Sequence, residues 1–147
     1  MKKQVFLATA IAMFGFANAQ DIPQSQVPSV ILSSFNTNFP KAQDIEWEME
    51  GTQYKVDFET GWSVDHEVWY SANGEMVKHK EDISPRELPE SVNKTINTKY
   101  VNYSIDSPQR ITEGQNVYYK VDFDSLLNQD WEVVMDANGN ELSKMAD

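Results

Sequence analysis

The feature that most constrains this chain is that it repeats itself. Tyr54-Lys55-Val56-Asp57-Phe58 returns letter for letter as Tyr119-Lys120-Val121-Asp122-Phe123, 65 positions later. Asp65, Glu67 and Val68 return as Asp130, Glu132 and Val133, and Ala72-Asn73-Gly74 returns as Ala137-Asn138-Gly139, at the same offset. A constant offset held across three separate blocks is not chance. Internal repetition fixes architecture before any local reading does. It predicts two copies of one α+β unit.

Each unit opens with helical spacing. Val27, Ile31, Phe35 and Phe39 stand four apart, which places them on one stripe of a helix. Leu88, Val92, Ile96 and Tyr100 form the same stripe in the second copy, with Pro28 and Pro89 at matching first-turn positions where a missing N–H costs nothing. Pro40 ends the first helix. The offset grows from 61 at the helices to 65 at the strands, so four extra residues lie between Tyr103 and Tyr119, around Ser107-Pro108 and Glu113-Gly114.

A period of two then takes over, the signature of half-buried strands. Ile45, Trp47 and Met49 alternate with Glu46, Glu48 and Glu50. Tyr54, Val56 and Phe58 alternate with Lys55, Asp57 and Glu59. Val64, His66, Val68 and Tyr70 alternate with Ser63, Asp65, Glu67 and Trp69. Trp131, Val133 and Met135 take the inner face in the second copy. Gly51 suits a tight turn. Asn73-Gly74 and Asn138-Gly139 predict two-residue hairpin turns with both central residues at positive φ. A short fourth strand follows in each copy, over Met76 to His79 and Glu141 to Lys144. The expected unit is α-β-β-β-β taken twice, with helices on one face of an antiparallel sheet, eight-stranded if the two halves join.

The chain opens with an address. Lys2 and Lys3, the apolar run from Val5 to Ala17 and the small residues of Ala17-Asn18-Ala19 predict a signal peptide over 1–19, too short for a membrane span, with Gln20 as the mature N-terminus. No cysteine stands near the cleavage site, which argues against a lipid anchor. The expected destination is periplasmic or secreted. The remaining chain divides at 20–84 and 85–147. Units of roughly 60 residues are marginal alone, so the two are expected to pack as one domain.

At this point the chain resembles the PepSY-like proteins, which are similar in fold to the β-lactamase-inhibitor protein. The exported leader, the tandem, a helix followed by a Tyr-x-Val-x-Phe strand and a closing Asn-Gly hairpin carry the resemblance over essentially the whole mature chain. It implies two helix-on-sheet units joined into a curved surface. It also implies a non-enzymatic role, binding or inhibiting another exported protein such as a hydrolase. The inhibitor's units carry disulfides and this chain has no cysteine. β-Lactamase inhibition is therefore not carried over.

The net charge of −11 becomes more negative once the leader's two lysines are gone. Such a chain repels nucleic acid and anionic lipid, and favours solubility, a basic partner or divalent cations. No disulfide framework, thiol nucleophile, Gly-x-Ser-x-Gly elbow or phosphate loop is present. Without a His-x-x-x-His or Glu-x-x-His helix motif, a zinc site has little support and no cofactor or metal is expected. His66, matched by Trp131, reads as a core or boundary residue, and His79 as a solvated one. Asp136-Ala137-Asn138-Gly139-Asn140-Glu141 places glycine fourth, which fails calcium-loop geometry. Asp124-Ser125-Leu126 resembles a short O-glycosylation signal at Ser125.

Glu46, Glu48, Glu50, Asp57, Glu59, Asp65 and Glu67, with Asp122, Asp124, Asp130 and Glu132, fall on one open sheet face and read as a solvated acidic surface. Trp69 shares that face by parity, and Trp62 stands near the bend beside Gly61. Trp47 and Trp131 belong to the core. The expected function is an exported, non-enzymatic binder whose contact residues are Trp62, Trp69, Asp65, Glu67 and Asp57, facing a basic protein partner. The alternatives are a small-ligand or cation binder, and a hydrolase using paired carboxylates.

Overall fold

The computed structural model describes residues 19–147, so the predicted leader lies outside the described residues save for its last position. A short edge strand β1 (Gln20–Ile22) is followed by helix α1 (Ser29–Asn38) and strands β2 (Gln43–Glu50), β3 (Gln53–Thr60), β4 (Val64–Tyr70) and β5 (Met76–Asp82). Helix α2 (Glu90–Lys99) then leads into β6 (Ser104–Glu113), β7 (Asn116–Asp124), β8 (Trp131–Asp136) and β9 (Glu141–Ala146). All pairings are antiparallel, and the strands lie in the sheet in chain order. The result is an open nine-stranded α+β sheet with two helices. The ninth strand, β1, exceeds the expected eight. Gln20, Asp21 and Ile22 pair with Met49, Glu48 and Trp47, in a run too short to show periodicity.

Each helix lays its stripe on the sheet. Val27, Ile31 and Phe35 are buried against Trp47, Val56, Phe58, Val68 and Tyr70. Leu88, Val92, Ile96 and Tyr100 are buried against Tyr119, Val121, Phe123, Val133 and Met135. Pro28 and Pro89 sit immediately before the first helical residues as the N-caps. The extra length in the second half lies in one hairpin: β6 and β7 run 10 and 9 residues, where β2 and β3 run 8 each.

Three local expectations are corrected. Ile45 is 37% exposed, because a bulge between Gln43 and Glu46, with Asp44 at φ 51°, breaks the alternation early in β2. Trp131 is only partly buried, at the margin of the second core. The two Asn-Gly hairpins are not two-residue turns. Gly74 and Gly139 have φ of 87° and 79°, but Asn73 and Asn138 keep ordinary negative φ. Each loop is a turn closed by Gly74 N–H to Ser71 O, or Gly139 N–H to Asp136 O, with the glycine as the left-handed residue that follows. Asn73 Oδ1 and Asp136 Oδ1 accept from backbone N–H groups two and four residues along the loops, which removes the need for a second positive φ.

These glycines also touch the helices. A Cβ on Gly139 would lie 2.4 Å from Ser91 O and 2.7 Å from Thr95 Oγ1, and one on Gly74 would lie 2.9 Å from a Val30 methyl. Thr95 Oγ1–H donates to Gly139 O at 2.8 Å. The hairpin tips therefore clamp the helices to the sheet.

A second tie joins α2 to β9. Glu141 accepts from Lys99 Nζ at 2.5 Å and from the Tyr100 hydroxyl. Burial alone would raise the Glu141 carboxyl, but these hydrogen bonds and the Lys99 charge hold it below its ordinary value. Its contribution to stability is thus present above the ordinary glutamate value of 4.5 and is lost as pH falls through the lowered native value. The gap in unfolding free energy between the natural chain and Glu141→Gln is expected to be full at neutral pH and to close in strong acid. Urea melts at both pH values check it.

Candidate functional site

Register decides which side chains share the open face. Lys55 pairs with Trp69 and Trp69 with Lys78, while Asp57 pairs with Glu67 and Glu67 with Lys80. Odd positions of β3 and β4, with Lys78 and Lys80 of β5, thus point away from the helices, while a register shift beyond Trp69 turns Met76 back to the core. Asp44, Glu46, Asp57, Glu59, Asp65 and Glu67 line a shallow depression of about 500 Å³ together with Lys55, Phe58 and His66. Three of the expected contact residues, Asp57, Asp65 and Glu67, are thus brought together.

Lys55 organises this basin. Its Nζ lies 2.9 Å from Asp57 Oδ2, 3.3 Å from Glu67 Oε2 and 3.5 Å from Glu48 Oε2. Lys80 Nζ lies 2.6 Å from the other oxygen of Glu67. Burial opposes the charge on Lys55, but the hydrogen bond to Asp57 and the carboxylates around it hold the ammonium above the usual lysine range. Burial raises Asp57 against the pull of Lys55. Burial also pushes Glu67 upward, but its hydrogen bonds and charge contacts with Lys80 and Lys55 outweigh this and leave it lowered. The same device recurs across β7 and β8, where Lys120 Nζ stands 2.9 Å from Glu132 and 3.6 Å from Asp122. The open face is therefore a lattice of ion pairs rather than a plain field of repelling carboxylates.

Trp69 lies on the face that parity assigned, yet it is only 7% exposed. Its expected role as an exposed anchor is corrected. Lys78 Nζ sits 4.7 Å and Lys55 Nζ 5.7 Å from the ring centroid, and Trp69 Nε1–H donates to Glu50 Oε2 at 2.8 Å. Long lysine stems cover apolar surface readily, and their ammonium groups are drawn to the ring face. Trp69 is a floor to the charged face.

Trp62 does stand free. It is fully exposed in the turn between β3 and β4. Leu126 and Leu127 are also fully exposed, in the loop between β7 and β8. Because β3 and β7 run in the same direction, both tips project from the same rim of the sheet. The sequence reading takes Leu126 only as part of Asp124-Ser125-Leu126 and misses Leu127, although Leu127 follows Trp62 at the repeat offset of 65.

The opposite face holds a cluster that sequence reasoning also missed. His66 is buried, and its Nδ1 lies 3.0 Å from His79 Nε2 and 3.9 Å from Glu81 Oε2. His79 is partly buried against Phe39 and hydrogen-bonded, so its expected solvated role is corrected. Burial lowers both imidazoles against the raising effect of Glu81, and for His79 the neighbouring His66 and Arg110 lower it further. The rings are therefore held toward the neutral form. The missing signal was register: once the turn at Gly74 is set, His66 falls opposite Glu81 and Val68 opposite His79.

Among the described residues no helix is long and apolar enough to cross a membrane. A family model described as "Putative beta-lactamase-inhibitor-like, PepSY-like" matches residues 16–67 and 53–143. No curated protein sequence matches the chain. Three solved Bacteroides structures share its fold. A BLIP-like protein of Bacteroides fragilis is 19% identical with a TM-score of 0.68, over 85% of this chain and 87% of that one. A DUF2874 family protein of Bacteroides uniformis is 15% identical with a TM-score of 0.70, over 81% and 88%. A Bacteroides eggerthii protein, described as one of the "putative periplasmic proteins", is 15% identical with a TM-score of 0.72, over 82% and 88%.

Proposed function

The chain belongs to the PepSY-like family, and from that membership we propose that it is an exported, non-enzymatic protein that binds another exported protein. The contact surface is the open sheet face together with the hairpin tips at its rim. Its organisation is a tandem of two helix-and-four-strand units working as one domain. The likeness to a BLIP-like protein and to one described among "putative periplasmic proteins" supports this class of role and this location.

The observation that carries the reading is the rim. Trp62, Leu126 and Leu127 expose their full side chains to solvent on one edge of the sheet. Large apolar side chains on hairpin tips beside a polar surface are the anatomy of a contact patch, with an aromatic anchor ringed by charge. The acidic basin around Asp57, Asp65 and Glu67 favours a basic partner and speeds encounter in low salt. The hydrolase alternative loses ground because Lys55 neutralises Asp57 and Glu67 together. A pair so bridged is poorly placed to pass protons.

The partner recovered by cross-linking from the native envelope fraction supplies the test. Trp62→Ala is expected to weaken its binding by about 2 kcal/mol or more, with the melting temperature unchanged because the ring touches no core residue. Asp65→Asn is expected to slow association chiefly at low salt. Undiminished affinity in Trp62→Ala and in Leu126→Ser/Leu127→Ser together would remove the rim as the contact surface.

A further inference from the structure

The geometry points to a divalent transition-metal site formed by His66, His79 and Glu81, with zinc as the ion that fits it. The site lies on the helix-bearing face, on the opposite side of β4 from Asp65 and Glu67. Cross-strand register runs Phe58, His66, Glu81, Arg110, Tyr119 in one row. Phe58 belongs to the core under α1 and Tyr119 to the core under α2. The cluster therefore occupies the trough between the two helices.

The residue types are the first argument. The chain has two histidines and no cysteine. Both histidines meet at one point beside a carboxylate. Two imidazoles and a carboxylate are a donor set for zinc and its first-row neighbours, and three protein ligands leave a fourth position for water or a partner's side chain.

Distance is the second. One ligand atom from each of the three residues lies within 4.8 Å of the others. Zinc arms of about 2.0–2.1 Å in a tetrahedron place ligand atoms roughly 3.3 Å apart. The observed separations of 3.0 Å and 3.9 Å from His66 Nδ1 bracket that value. Small side-chain rotations on fixed strands close the site.

The supporting groups are the third. Thr60 Oγ1 lies 2.7 Å from His66 Nε2 and can hold a proton there, which leaves Nδ1 as the ligating atom. Arg110 Nε and Nη2 both hold Glu81 Oε1, at 2.8 and 2.7 Å, and leave Oε2 turned toward His66. Phe58 stacks on His66 with centroids 4.9 Å apart, and Phe39 packs edge-on to His79 at 5.3 Å. These rings wall one side of the site and fix the imidazole planes. Metal entry needs both lone pairs, so the proton now shared between the rings leaves that contact for the far nitrogen of its own ring or for solvent. Arg110 opposes a cation, while Glu81 and the chain's acidic field favour one.

The test uses the untagged chain. Zinc titration by calorimetry is expected to give one ion per chain, and X-ray absorption is expected to count two imidazoles on it. Cobalt is expected to show the intense visible bands of a tetrahedral site. His79→Gln and Glu81→Gln, both at partly exposed positions and checked for native circular dichroism, should each weaken zinc by at least about tenfold. Excess calcium should not compete. Absence of saturable zinc binding, affinity unchanged from the natural chain in both variants, or displacement by calcium would overturn the site and leave the acidic face as a diffuse cation sink.

Discussion

Gly139→Ala is expected to be among the most damaging single-methyl changes in this protein, at about 2–5 kcal/mol. Two causes add. A left-handed backbone costs alanine about 1–2 kcal/mol, and Gly139 has φ of 79°. The new methyl would also meet Ser91 O at 2.4 Å, a helix carbonyl that cannot swing aside as a side-chain end can. Overpacking of this kind costs about 1–3 kcal/mol. Gly51 separates the terms, since its φ is 60° but nothing lies within 4 Å of a Cβ there. Gly51→Ala should therefore lose only the backbone part. Urea midpoints for the two variants check the difference, and equal losses would show that the clamp on α2 yields freely.

Phe35→Ala is expected to cost about 3–5 kcal/mol, the range for a buried aromatic. Phe35 is 2% exposed, and its ring packs edge-on to Trp47 and Phe58 at 5.3 and 5.1 Å. The informative part is the shape of the melt. The β5–β6 ladder joins the strands under α1 to those under α2, through Lys78 to Asp82 pairing with Glu113 to Gln109. The loss should lower one cooperative transition, not split it. Two separated transitions, with only the first moved by the substitution, would show that each half folds by itself.

The helices and inner strand faces were legible because they obey one rule each. Ile31 and Phe35, or Val56 and Phe58, are placed by spacing alone. What failed was whatever depended on a neighbour in space. Trp69 was assigned to the right face, but its burial depends on Lys78 and Glu50 from two other strands. Ile45 follows the alternation on paper and is displaced by a bulge that a left-handed Asp44 creates. The Asn-Gly pairs announced turns truly, but their type followed from the side chains of Asn73 and Asp136, not from the dipeptide. Candidate-site residues divided in the same way. Asp57, Asp65 and Glu67 came together as expected because they share strands β3 and β4. His66, His79 and Glu81 needed the register of β4 against β5, and helix-based ligand spacings do not reveal a site built across a hairpin.

The order of the strands in the sheet is their order in the chain. No strand waits for a partner that is synthesised much later. Each new strand can zip onto the one before it, across short turns everywhere except β1 to β2 and β5 to β6, where the intervening helix shortens the span that must close. A chain delivered N-terminus first could complete its sheet progressively, with only the newest strand's outer edge awaiting a partner at each stage. Assembly would then advance like a folding screen opened panel by panel, with α1 and α2 set down in turn as their strands arrive.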